Sequence, residues 1–195
     1  MLLTHTDLHS LEEYSKIRDD FKKAAINHRK QRQVSIGKHM TLHFEDRVTV
    51  KYQIQEMLLV EKTFTQQGIQ DELDAYNPLV PTGTNLKSTL TIEYGDPVIR
   101  AEMLKKLRQV EDKIFLQIGN DSPIFAIADE DIDRSNDEKT SAVHFLRWEL
   151  NAEQIKAFEN LNNDILVGVD HENFQYITKI DIRTHEMLAK DFYTV

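Results

Sequence analysis

Short connections between successive strand candidates constrain the fold of this chain more than any other feature of its sequence. The segments QVSIG and HMTLHF are separated by Lys38 alone, and KIFLQIG is joined to PIFAIA by the turn residues NDS. A parallel crossover needs a dozen or more residues, so strands connected in this way pair antiparallel. Further strand candidates, with apolar residues in alternation or in short runs, are NLKSTLTIEY, TSAVHFLRWEL, DILVGV and FQYITKI.

Helix signals surround these strands. Ser10 and Glu13 form a capping box ahead of LEEYSKIRDDFKKAAINHRKQR, and a second helix is predicted over about residues 46–64. Asp96 followed by Pro97 predicts another helix N-terminus, which opens VIRAEMLKKLRQ. The sequence therefore predicts an α+β fold: a mostly antiparallel sheet with helices packed on it, and an N-terminal helical segment.

The length of 195 residues suits a single α+β domain over residues 1–195. A chain of this size buries about 70% of its unfolded surface, so it needs no disulfide or structural metal to fold. The helical beginning and the strand-rich remainder leave one alternative. In it, residues 1–80 form a helical sub-lobe and residues 81–195 form a sheet-rich one.

The charge balance and the absence of cysteine exclude several classes of function. A net charge of −9 argues against general binding to nucleic acid or to anionic membranes, which basic patches mediate. Without cysteine the chain has no thiolate nucleophile and cannot ligate an iron–sulfur cluster in the usual way. The N-terminus MLLTHTDLHS does not resemble a signal peptide, and no apolar run approaches the roughly 20 residues of a membrane span. We therefore expect a cytoplasmic protein.

Two glutamates lie among the apolar residues of the stretch VTVKYQIQEMLLVEKTF. At about 100° per residue, Glu61 falls on a stripe with Ile54 and Met57, and Glu56 lies on another side of the same helix. A helix that is apolar on nearly all sides is normally buried, so we predict that both carboxylates enter the interior.

A buried carboxylate must be paired, bound to a metal or protonated. The simplest interpretation is an ion pair with a buried arginine, for which the candidates are Arg29, Arg32, Arg47 and Arg147. A metal site and general-base chemistry remain as alternatives.

If the chain binds a transition metal, the site is predicted where histidines and a carboxylate are densest. His39, His43 and Glu45 in GKHMTLHFED lie on one face if the segment is a strand. Imidazole and carboxylate are the strong ligands left to a chain without cysteine, and they suit iron, zinc or manganese. A second run, DEDIDRSNDEKT, has calcium-loop spacing at Asp129, Asp131 and Asp133. It lacks the loop's glycine and its final glutamate, so we interpret it as a solvated acidic loop.

The longest strand candidate contains two further residues that need partners if they are buried. In SAVHFLRWEL, His144 shares a face with Leu146 and Trp148, and we predict that it lies on the inward face of a central strand. Arg147 points to the opposite face. Both residues are candidates for function because a buried polar side chain requires a hydrogen-bond partner.

Four strings together resemble one bacterial family, the domain of unknown function 3501: HFEDRVTVKYQIQEMLLVEK, ELDAYNPLVPTG, STLTIEY and TSAVHFLRWEL. The resemblance extends from about Arg29 to the C-terminus. It implies a role near redox or peroxide metabolism, because members are encoded near rubrerythrins and iron–sulfur oxidoreductases. The implied partner is a rubrerythrin-type or iron–sulfur protein.

Two hypotheses follow from these observations. The first is a non-catalytic accessory or interaction protein that serves a redox system. The second is a metal-binding protein or metal-dependent enzyme whose ligands come from Glu45, Glu56, Glu61, His39, His43 and His144. The sequence leaves open whether the protein is an enzyme and whether it forms a homo-oligomer.

Overall fold

The computed structural model describes residues 1–128 and 139–193. The helices of these residues are α1 (Leu11–Lys30), α2 (Arg47–Glu61), α3 (Gln66–Tyr76), α4 (Pro97–Lys106), α5 (Ala152–Glu159) and α6 (Ile182–Ala189). The strands are β1 (Gln33–Ile36), β2 (Met40–Phe44), β3 (Asn85–Ile92), β4 (Ile114–Ile118), β5 (Ile124–Phe125), β6 (Ile127–Ala128), β7 (Val143–Glu149), β8 (Ile165–His171) and β9 (Phe174–Lys179). No helix of the described residues is both long enough and apolar enough to cross a membrane.

Side-chain caps set the beginnings of the helices. Ser10 accepts a hydrogen bond from the backbone N–H of Glu13 and completes the capping box predicted for α1. Asp46 caps α2 by accepting from the first free N–H groups of that helix. Asp96 caps α4 in the same way, with Pro97 at its first position. These local signals are the reason that the helix starts could be predicted.

All strand pairs of the described residues are antiparallel, which confirms the predicted α+β class. They form two sheets. The first has five strands in the order β1-β2-β3-β7-β6, and the second has four in the order β5-β4-β8-β9. The first sheet contains strands from both sides of residue 80, because β2 pairs directly with β3.

The two sheets come together at both edges. At one edge the chain passes from β5 to β6 through Ala126, whose N–H donates to the carbonyl oxygen of Ile114. At the other edge, the hydroxyl of Thr178 in β9 donates to the carbonyl oxygen of Ser35 in β1. The turn after β1 needs a positive φ at Gly37, where a side chain would also meet the ring of Phe174.

The main hydrophobic core lies between the sheets. The first sheet contributes the alternate positions of its strands, among them Leu42, Leu90 and Trp148, and the second contributes Leu116 and Val167. This period of two places the residues between the core positions on the outer faces of the sandwich.

A second apolar cluster forms where the N-terminal helices cover the outer face of the first sheet. Val50, Ile54 and Leu58 of α2 pack with Leu73 of α3, and Phe145 of β7 packs against this cluster from the sheet. The helices pack over the sheet near β2 and β3. Beyond them, an open cleft remains above β3, β7 and β6.

Candidate functional site

Glu56 is partly buried and forms an ion pair inside the helical layer. Its carboxylate accepts hydrogen bonds from Nε and Nη2 of Arg18, at 2.9 and 2.8 Å, and from the hydroxyl of Tyr14 at 2.7 Å. These hydrogen bonds lower the pKa of Glu56 from 4.5 to about 2, and those from Arg18 have the largest effect. An arginine does pair with Glu56, but Arg18 is only partly buried and is none of the four arginines that were considered, so the predicted partners are wrong.

Glu61 is exposed, so the prediction that it enters the interior is wrong. It is the last residue of α2, and its neighbours Val60 and Phe64 are 69% and 78% exposed. Leu58 in the same turn is still buried, so the cover of the helix ends just before Val60. Glu61 therefore does not contribute a carboxylate to a buried site.

Gln55 takes the buried polar position that the apolar pattern of α2 did not indicate. Its side chain is fully buried and accepts a hydrogen bond at 2.6 Å from the N–H of His9. The amide therefore anchors the segment that leads into α1. The sequence around Gln55 does not indicate that its side chain is buried, because the hydrogen-bond partner lies 46 positions away.

His39, His43 and Glu45 each have other partners, and the predicted metal site gains no support. The ring of His39 stacks on Tyr94, and its Nδ1 lies 3.0 Å from the carbonyl oxygen of Glu93. The described residues contain no group of three or more histidines, aspartates and glutamates that could hold a metal ion. The acidic run around Asp129 and Asp131 lies outside the described residues.

His43 and Glu45 share one face of the first sheet but bind separate hydroxyl groups. Nε2 of His43 lies 3.3 Å from the hydroxyl of Thr91, whereas Glu45 accepts from Thr89 and Thr49 at 2.7 and 2.6 Å. Burial lowers the pKa of His43 to about 4, which favours the neutral imidazole at pH 7. This polar patch joins the sheet to the start of α2.

His144 lies where the sequence predicted, on the core-facing side of β7 between β3 and β6. Its Nε2 is 3.0 Å from the carbonyl oxygen of Ser141 and 2.9 Å from the hydroxyl of Thr140, which donates to Glu111. Because a carbonyl oxygen only accepts, this ring nitrogen carries the donated proton. His144 is thus a hydrogen-bonded residue of the core between the two sheets.

Arg32, one of the four arginines considered as partners of the two glutamates, is buried, but its ion-pair partner is Asp191. It is 1% exposed, and the carboxylate of Asp191 is also buried. Asp46 lies 3.6 Å away and is also bound by His28 at 2.5 Å. Burial raises the pKa of Asp191 to about 6, although Arg32 acts in the opposite direction. The network borders a cavity of about 280 Å³ near both chain ends.

Arg147 lies in the open cleft, which has a volume of about 470 Å³. We call it the Arg147 cleft, and its defining residues are Leu79, Asn85, Lys87, Ile127, Phe145, Arg147 and Glu149. Cavities of this size with apolar walls and a few polar groups are typical of small-ligand sites. The prediction that Arg147 faces away from His144 agrees with its place on the outer side of β7.

Cross-strand pairing sets the polar groups of the cleft. Arg147 is directly opposite Lys87, and Glu149 is directly opposite Asn85. Glu149 accepts from Nδ2 of Asn85 at 3.1 Å and from Nε of Arg147 at 3.3 Å. Lys87 donates to the carbonyl oxygen of Pro78 at 2.6 Å. The carboxylate and the two cations therefore share one side of the sheet.

A row of apolar residues crosses the outer face of the second sheet. Phe125, Phe115, Gly168 and Ile177 are direct neighbours on β5, β4, β8 and β9, so they share one face. Phe125 and Ile177 are 47% and 59% exposed. The ring of Phe115 passes over Gly168, where an added Cβ would lie 2.5 Å from its Cζ. We call these four residues the outer stripe.

The sequence missed the outer stripe because its members lie on four separate strands. Alternation alone places Phe115 and Gly168 on the opposite face from Leu116 and Val167, and it could have marked the stripe if the strand order were known. The sequence also did not indicate the pairing of Arg32 with Asp191, because the two residues are 159 positions apart.

Comparisons with known proteins agree with one another. The model of the family described as "Protein of unknown function (DUF3501)" matches residues 2–192. A crystal structure of a protein of unknown function from Burkholderia pseudomallei K96243 is similar to this chain, with 45% sequence identity and a TM-score of 0.93. That match covers 99% of this chain and 100% of the other. No curated protein matches.

Proposed function

The chain belongs to the DUF3501 family of proteins of unknown function, and we propose that it is a non-catalytic accessory protein that binds another protein. The observation that carries this proposal is the outer stripe. It presents the exposed side chains of Phe125 and Ile177 on the two edge strands of a sheet, in one row with the buried ring of Phe115 and with Gly168 between them. Aromatic and aliphatic groups of this kind form the centres of protein–protein interfaces.

The rim of the outer stripe is polar, as at typical interfaces. Lys179 pairs with Asp164 at 2.5 Å at one end of the second sheet, and both side chains are more than half exposed. At the other end, Gln175 donates to Asp170 at 3.1 Å. A partner could therefore bury the stripe while these groups stay hydrated.

The ionisable groups with the deepest burial support a binding role over catalysis. Arg32 and Asp191 bind each other, and Glu45 binds two hydroxyl groups. Side chains engaged in this way hold elements of the fold together. Although Arg32 and Asp191 border a small cavity, their charged groups are already bound to each other.

The proposed partner is a protein of redox or peroxide metabolism. The family resemblance supports a rubrerythrin-type or iron–sulfur protein in this role. The test is isothermal titration calorimetry of the purified chain against the rubrerythrin-type and iron–sulfur proteins of the same organism. We expect saturable binding to one of them.

The matched variants are Ile177→Glu in the outer stripe and Ile99→Glu on α4, because both side chains are more than half exposed. Ile177→Glu should weaken binding about tenfold or more, as at a desolvated interface centre, and Ile99→Glu should leave it unchanged. Circular dichroism melts of both variants establish that they are folded. Equal affinities for the two variants, or no binding to either candidate protein, would refute the proposal.

A further inference from the structure

The Arg147 cleft carries an inference that is independent of the outer stripe. Two cationic side chains, Lys87 and Arg147, are directly opposite each other on β3 and β7. Like charges at directly opposed positions of a sheet destabilise it. Among the described lining residues the one carboxylate is Glu149, so their side chains carry a net positive charge in a protein whose net charge is −9.

The guanidinium of Arg147 is only partly used by the protein. Its Nε donates to Glu149 at 3.3 Å, and within residues 1–128 and 139–193 its two Nη atoms have no hydrogen-bond partner. The side chain is 43% exposed, so these atoms are accessible from the cleft. The planar fork of an arginine matches two oxygens of a carboxylate, sulfonate or phosphate group.

The walls of the cleft around this fork are apolar. Leu79 and Phe145 come from the side of the second apolar cluster, and Ile127, which is 40% exposed, pairs directly with Arg147 from β6. A ligand that filled a volume of about 470 Å³ would place a non-polar body against these three side chains.

We propose that the Arg147 cleft binds a small amphipathic anion, with its oxyanion on the Nη atoms of Arg147 and its apolar or aromatic body against Leu79, Phe145 and Ile127. Glu149 holds the guanidinium by its Nε edge and is itself held by Asn85. The carboxylate thereby fixes the direction of the fork. It also opposes the bound anion by charge repulsion.

The test uses two probes with nearly the same aromatic body and different charge. The first is 1-anilinonaphthalene-8-sulfonate, an anion, and the second is N-phenyl-1-naphthylamine, which is neutral. We expect both to bind with a fluorescence increase. Arg147→Met keeps an apolar stem but removes the guanidinium fork. It should therefore lower the affinity for the sulfonate probe about tenfold or more and the affinity for the neutral probe less than about twofold.

Two further variants separate this proposal from general charge effects and from misfolding. Arg108→Met makes the same charge change at an exposed position outside the cleft, and it should leave both affinities unchanged. Glu149→Gln removes the repulsive charge, so it should strengthen binding of the sulfonate probe. A folded but damaged protein would not gain affinity in this way.

Competition identifies the preferred oxyanion. Hexanoate and hexyl phosphate are titrated against the bound sulfonate probe, and the stronger competitor indicates whether a carboxylate or a phosphate suits the cleft. Displacement by hexanol as strong as that by either anion would overturn the proposal. So would a sulfonate affinity that is equal in Arg147→Met and Arg108→Met.

Discussion

Removal of the Asp191 carboxylate is the perturbation whose effect the structure defines best. Arg32 is 1% exposed, and besides Asp191 it donates to the carbonyl oxygens of Phe44, Glu45 and Met187, each at 3.1 Å. The guanidinium thus ties the end of β2 to α6. Asp191→Ala leaves this charge buried without its ion-pair partner.

The magnitude follows from what remains around Arg32. Breaking a buried ion pair from one side costs about 3–5 kcal/mol. The three carbonyl groups stay in place, and Asp46 remains 3.6 Å from Nη1, so we expect the lower end, about 3 kcal/mol. For a chain of this length that corresponds to a fall of about 6–12 °C in Tm.

The double variant isolates the pair itself. Arg32→Met with Asp191→Ala removes both charges, and buried pairs replaced by apolar side chains often lose little stability. We expect the double variant to be at least about 1 kcal/mol more stable than the sum of the single effects predicts. The coupling would show that the cost of Asp191→Ala arises from the stranded guanidinium.

The assay is urea denaturation at pH 7.5, where Asp191, with a pKa of about 6, is ionised. Glu12→Ala serves as the control, because its pair with Lys16 is exposed and should change stability by less than about 0.5 kcal/mol. If Asp191→Ala has the same unfolding free energy as Glu12→Ala, the buried network does not stabilise the fold as described.

Two other predictions concern α2 and the outer stripe. Glu56→Gln should lower the unfolding free energy by about 2 kcal/mol at pH 7, and Glu61→Gln by less than about 0.5 kcal/mol. Because Arg18 holds the folded pKa of Glu56 near 2, its contribution is complete above pH 4.5 and is lost as the pH falls towards 2, so the stabilities of wild type and Glu56→Gln should converge in acid. Gly168→Ala should cost about 1–3 kcal/mol and shift the NMR signals of the Phe115 ring, and unchanged signals would mean that the ring does not cover this position.

Local signals made several features of this protein predictable. Ser10 and Asp96 satisfy N–H groups within three residues of themselves, so their caps are visible in the sequence. Short connections require antiparallel neighbours whatever the rest of the fold does. The buried position of His144 followed from alternation within one strand, since Leu146 and Trp148 on the same face had to enter the core.

Positions near the end of an element were less predictable. The periodicity of α2 places Glu61 on an apolar stripe, but it does not tell how far the covering elements extend. In the folded chain Leu58 is buried, whereas Val60, Glu61 and Phe64 after it are exposed together. Helical phase gives the direction of a side chain, whereas burial depends on what lies opposite.

Partner choice and the candidate sites were decided by tertiary structure alone. The pairs Arg18–Glu56 and Arg32–Asp191 join residues 38 and 159 positions apart. The outer stripe and the Arg147 cleft each depend on which strands become neighbours. The type of a side chain indicates which kind of partner it requires, but many residues of the chain could be that partner. Only the folded chain, which brings particular backbone segments within a few ångströms, selects one of them.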